Sequence, residues 1–122
     1  MSAWRKIKIN GIFIRRGFME KYIIDFASMA WEKPTPGVLE KAVVQSGKKL
    51  RLVEFTKDFV EPDWCRKGHF GYVLEGELEI DFNGISIKAK KGDGIMIPAE
   101  EKAKHKAKIL SPSAKLVLVE DL

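Results

Sequence analysis

The residues best equipped for chemistry lie in D-W-C-R-K-G-H-F-G-Y-V-L-E-G-E-L-E-I-D-F, from Asp63 to Phe82. Asp63 and Cys65 are two apart, so on an extended chain they point to one face, and His69 opens the next apolar run. A carboxylate, a thiol and an imidazole grouped ahead of a strand pair can hold a metal ion or line a small polar pocket. Cys65 is the only cysteine, which excludes an intramolecular disulfide and predicts a reducing, cytoplasmic setting. The thiol reads as a ligand, a reactive group or a packed small hydrophobe.

Those residues need a frame. At 122 residues the chain amounts to one domain, large enough for a core but too small for separate binding and catalytic domains. No apolar run approaches the roughly 20 residues that span a bilayer, so no membrane partner is expected. The net charge of +5 is local: Arg5, Lys6, Lys8, Arg15 and Arg16 account for all of it, and the remainder carries 17 basic and 17 acidic groups. Residues 1–18 thus form a basic N-terminal arm whose short apolar pieces, I-K-I and I-F-I, are too little for a secretory signal. The arm reads as a grip for an anionic partner, as an added edge strand, or as a stretch upstream of a true start at Met19. Residues 19–38 read as a segment packing on the domain. In it Y-I-I-D-F suits a short strand, A-S-M-A-W a turn of helix, and E-K-P-T-P-G a loop, because Pro34, Pro36 and Gly37 interrupt regular structure.

From Leu39 onward the chain becomes a series of short strands: Leu39–Gln45, Leu50–Thr56, His69–Leu74, Leu78–Phe82, Ile85–Ala89, Gly94–Ile97, His105–Leu110 and Leu116–Glu120. Turn signals at Ser46-Gly47, Asn83-Gly84, Lys91-Gly92-Asp93 and Ser111-Pro112-Ser113 divide them. Asn83-Gly84 tolerates the positive φ angles of a type I′ turn. Around it Leu78, Ile80 and Phe82, then Ile85, Ile87 and Ala89, make an apolar face, while acids oppose lysines on the other. The strand from His69 carries Phe70, Tyr72 and Leu74 on one side and His69, Gly71 and Val73 on the other, so neither side reads as wet. It is expected to be covered twice, by the N-terminal segment or by a second subunit, and a homodimer follows.

These residues resemble the cupin family, a group of small jelly-roll barrels. Y-V-L-E-G-E-L-E-I looks like the second half of the family's first motif, G(x)5HxH(x)3,4E(x)6G. Counted back from Gly76, the family's Glu falls on His69 and its two histidines on Cys65 and Asp63. G-D-G-I-M-I-P-A, from Gly92 to Ala99, is similar to the start of the second motif, whose histidine falls on Ala103, with His105 two residues later. Alternation supports His105 on its own account: His105, Ala107 and Ile109 interleave with Lys104, Lys106 and Lys108, and the lysines belong in water. The resemblance implies an all-β, double-stranded β-helix (jelly-roll barrel) over 39–122 with a short N-terminal extension. It also implies a mononuclear site on Asp63, Cys65, His69 and His105.

Two imidazoles, a thiolate and a carboxylate suit a divalent transition metal, Zn, Ni or Fe, better than Mg or Ca, which prefer oxygen. Without metal, the two histidines would hydrogen-bond within the barrel, Cys65 would pack, and Asp63 would cap a turn or pair with Arg66 or Lys67. One functional reading is a barrel whose metal acts on or binds a small polar metabolite. The other is a metal-free cupin serving as a non-catalytic small-ligand-binding or structural protein. No DNA-reading helix is present in the pattern, and no nucleic-acid partner is expected. Trp31 and Trp64 either line the pocket mouth or pack on the barrel rim, and Glu54 is a candidate to share the interior.

Overall fold

The structure is a computed structural model that describes residues 22–122, together with the backbone of residues 6–9 and 12–15. Strands β1 (Lys6–Ile9) and β2 (Ile12–Arg15) pair antiparallel as a two-stranded sheet of their own, not as an edge of the barrel. The rest of the basic arm lies outside the described residues.

The barrel is built from β3 (Glu32–Thr35), β4 (Val38–Gln45), β5 (Lys48–Thr56), β6 (His69–Glu75), β7 (Glu77–Asp81), β8 (Ser86–Lys90), β9 (Gly94–Ile97), β10 (Lys106–Ile109) and β11 (Ser113–Asp121). A six-stranded sheet in the order β3-β4-β5-β11-β6-β9 faces a three-stranded sheet in the order β10-β7-β8. All pairings are antiparallel, and the core is the layer of alternate residues between the sheets. Leu116, Val53 and Val73 are its largest fully buried side chains among the described residues. The eight strands expected from turn spacing are all present, with ends shifted by a few residues.

Two local expectations need correction. The proline-bearing loop E-K-P-T-P-G holds strand β3, which pairs only with β4 through an irregular register and sits at the sheet edge. Proline is tolerated there because one side of an edge strand makes no ladder bonds. The segment before it carries a 3-10 turn at Phe26–Ser28 and no strand over Y-I-I-D-F. Lys41 fastens this segment to the barrel: its ammonium donates to the Phe26 carbonyl at 2.6 Å and lies 4.7 Å from the Trp31 ring centre.

The Asn83-Gly84 turn has positive φ at both residues (57° and 109°), and Glu77 and Glu79 oppose Lys90 and Lys88. On β8, an edge strand, only Ala89 is buried; Ile87, and Ile85 in the turn before it, are exposed. On β6, Gly71 is required by close approach: a Cβ there would lie 1.9 Å from the Val117 carbonyl oxygen. That approach keeps β6 and β11 tight beside His69. The glycine thus sets the position of a site residue as well as the packing.

Candidate functional site

Backbone geometry brings the donors together before any side chain is considered. Cys65 and His105 form an isolated antiparallel bridge, with Cys65 N–H donating to the His105 carbonyl at 2.8 Å and His105 N–H returning to Cys65 at 2.9 Å. His69, the first residue of β6, faces the interior opposite Ile97 of β9. The donor atoms of Cys65, His69 and His105 all lie within 4.8 Å of one another, and the Cys65 Sγ to His69 Nε2 distance is 3.3 Å. His105 is 3% exposed.

Each imidazole has its other nitrogen engaged by oxygen. His105 Nδ1 donates to the Ala103 carbonyl at 3.0 Å, which leaves Nε2 as the nitrogen that can meet Cys65. His69 Nδ1 lies 2.5 Å from Glu120 Oε2, a charge contact that lacks the alignment of a straight hydrogen bond. Such outer oxygens fix the ring tautomer and orientation of metal-binding histidines. Behind Glu120 stands Arg51, whose Nη1 reaches Glu120 at 3.2 Å and whose Nε reaches Glu40 Oε2 at 2.8 Å. A line of alternating charge therefore runs Glu40, Arg51, Glu120, His69 across β4, β5, β11 and β6.

The electrostatics follow from these contacts. Hydrogen bonds from His105 and then His69 pull the Cys65 thiol from its ordinary 9.0 to about 5. Burial opposes the charged form of His69, but Cys65 and Glu120 outweigh it and raise the imidazole to about 9. His105 is likewise raised against its burial, by Cys65 and the Ala103 carbonyl. Burial opposes ionisation of Glu120 too, yet His69 and Arg51 hold its carboxyl at about 2.

Asp63 is not brought into the donor group. Its side chain is exposed, and Oδ1 accepts the Trp64 backbone N–H at 2.8 Å. Glu61 stands nearer: it lines the cavity with the donors, and Oε1 accepts the Ala107 N–H at 3.1 Å. Burial raises the Glu61 carboxyl, and that N–H only partly offsets it.

The donors sit in the wall of a cavity of about 440 Å³ between the two sheets. In three dimensions the chain is similar to KdgF from Halomonas sp., with a TM-score of 0.66 and 24% identity, covering 80% of this chain and 91% of that one. It is similar also to two proteins of Shewanella frigidimarina. An RmlC-like cupin gives a TM-score of 0.63 and 15% identity, over 80% of this chain and 87% of that one. A cupin-2 domain containing protein gives 0.61 and 20%, over 85% and 99%. The chain has the cupin fold. No family model matches the sequence and no curated protein matches it, so the likeness is one of fold.

Within the cupin barrel, both tryptophan rings carry lysine ammonium groups over them. Trp64 lies under the ammonium groups of Lys106 and Lys104, at 5.0 and 5.7 Å from the ring centre, and Trp31 under Lys41; neither lines the cavity. Glu54 pairs across from Lys115 and alternates with the buried Val53, so it faces away from the cavity. Glu120, Arg51 and Glu40 were not singled out in the sequence, although each sits at an inward position of its strand. The sequence offered no comparable signal for Glu61, which lies in an irregular segment.

Proposed function

We propose that this cupin holds one divalent transition-metal ion, Zn, Ni or Fe, on Cys65, His69 and His105, and binds or acts on a small polar metabolite beside it. The observation that carries this reading is the orientation of both imidazoles, each engaged at Nδ1 by an oxygen and grouped with one sulfur. The donor set fits the ion: nitrogen and thiolate suit these metals, and the 3.3 Å sulfur–nitrogen distance is close to the roughly 3.5 Å edge of a zinc-sized tetrahedron. Such an ion would polarise a carbonyl or enolate of the metabolite. Three protein donors would leave a four-coordinate ion one position for it. Glu61, a half-buried carboxyl in the same cavity, is the group placed to exchange a proton with a bound molecule. A free thiol in the site supports a reducing compartment such as the cytoplasm.

A metal-free reading draws on a different observation. Cys65 and His69 satisfy each other as a thiolate–imidazolium pair, which suits a cupin that binds a small ligand without turnover. Elemental analysis of protein purified without an affinity tag or chelator separates the two. About one metal per chain is expected, lost in the Cys65→Ser/His105→Ala double variant while the far-ultraviolet circular dichroism stays unchanged. No metal after reconstitution with zinc, nickel and anaerobic iron would overturn the metal reading.

The same proposal includes a homodimer. Phe70 and Tyr72 are 48% and 49% exposed on the outer face of the six-stranded sheet, and Met96, paired with Phe70, is 81% exposed. Val119, also paired with Phe70, extends this apolar patch. Sedimentation velocity should show a dimer that becomes a folded monomer in Phe70→Lys/Met96→Lys. A monomeric parent protein would remove the dimer.

A further inference from the structure

The cavity is polarised along the strands. At one end it is lined by the donor cluster and by Glu40, Lys49, Arg51, Lys67 and Glu120; the remaining wall is formed mainly by apolar side chains such as Phe55, Phe59, Leu78, Ile80 and Leu116. Beyond the charged end and the donors, Thr35 and Glu61 are the only hydrogen-bonding side chains in the lining among the described residues. A sugar or other many-hydroxyl ligand would therefore lose its water contacts against that wall and gain few in return. An apolar body gains from the same burial.

The charged end has cations to spare. Glu40 and Glu120 are both engaged by Arg51, and Glu120 also by His69. Lys49 reaches Glu40 only at 3.8 Å, and the Lys67 ammonium has no ion-pair or hydrogen-bond partner among the described residues. Arg51 uses Nε and Nη1 on its two carboxylates, and its Nη2 has no acceptor among the described residues. Three cations thus face two committed carboxylates, and a divalent ion on a single thiolate would add one further positive charge.

We infer that the cavity takes a small monocarboxylate with an apolar, aliphatic or aromatic body, its head at the Lys49, Arg51 and Lys67 end and its body against Phe55, Phe59 and Leu78. This narrows the metabolite proposed above and rests on that reading only for the ion beside the head. The volume of about 440 Å³ is within the range of small-ligand sites. The head is read by charge and the body by shape, so the two halves of the ligand are testable apart.

The test is calorimetric titration with propanoate, pentanoate and heptanoate, with heptanamide as the neutral-headed control and glucuronate as the polar-bodied one. It is run on chelator-treated protein and on zinc-loaded protein of measured metal content. One heptanoate per chain is expected, with affinity rising about fourfold per methylene along the series. Heptanamide should bind at least tenfold more weakly. Lys67→Met should weaken heptanoate severalfold and leave heptanamide unchanged. Glucuronate binding as tightly as heptanoate, equal binding of acid and amide, or no binding at all would overturn the inference. If the chain-length trend holds in protein that takes up none of zinc, nickel or anaerobic iron, the metal reading fails alone. If zinc is bound in full and glucuronate is preferred, the monocarboxylate inference fails alone.

Discussion

Arg51→Met should lower the free energy of unfolding by about 3–5 kcal/mol at neutral pH, the cost of leaving buried carboxylates without their cation. Arg51 stands between Glu40 and Glu120, and all three side chains are largely buried. No other cation replaces it, since Lys49 remains 3.8 Å from Glu40 and His69 already serves Glu120. Acid should shrink the deficit. Glu120 has its folded-state pKa depressed to about 2 from an ordinary 4.5, so its contribution is present above 4.5 and lost as pH falls towards 2. In the variant that carboxyl loses its arginine partner and is protonated at higher pH. The two proteins should therefore approach each other in stability below about pH 4. Urea unfolding at pH 7 and pH 3 measures both effects. A loss under 1 kcal/mol at pH 7 would mean that the charge line does not support the fold.

In the metal-free protein, the Cys65 thiolate should persist down to about pH 5, against an ordinary thiol value of 9.0. The ultraviolet thiolate absorbance reports it directly. Replacing both His105 and His69 by Gln should move the midpoint back towards 9, because their hydrogen bonds cause the shift. Alkylation rate at pH 7 is a poor test. The thiolate fraction gains about a hundredfold, but intrinsic nucleophilicity falls by a similar factor over four units of pKa. Below pH 6 the advantage of the site should emerge. A thiolate midpoint above 8 in the parent protein would show that the imidazoles do not hold the anion.

Much of the barrel could be read because its strands alternate and its turns are marked by Gly, Pro, Asn and Ser. The same logic turns His69 and His105 inward, each in an alternating pattern with apolar neighbours. Asp63 stands outside the donor group for a definite reason. A spacing of two places side chains on one face only in a strand, and between Pro62 and Trp64 the chain is irregular. Glu120, Arg51 and Glu40 were legible in principle: Leu116, Leu118 and Glu120 share a parity, as do Phe55, Val53 and Arg51, and Val38 and Glu40. An inward charge demands a partner. Which partner it finds depends on strands up to 69 positions apart, and pairing across a sheet leaves no local trace in sequence. Glu61, outside any strand, had no period to betray it.

The bridge between Cys65 and His105 joins points forty residues apart in the chain through a single pair of residues. An ion shared by their side chains would act as a removable cross-link. In the chain-entropy view, closing a loop of that length restricts the unfolded chain by about 4 kcal/mol. Stripping such an ion would reach past the chemistry of the cavity, because the unfolded chain would regain the freedom that the cross-link removes and the whole barrel would lose stability.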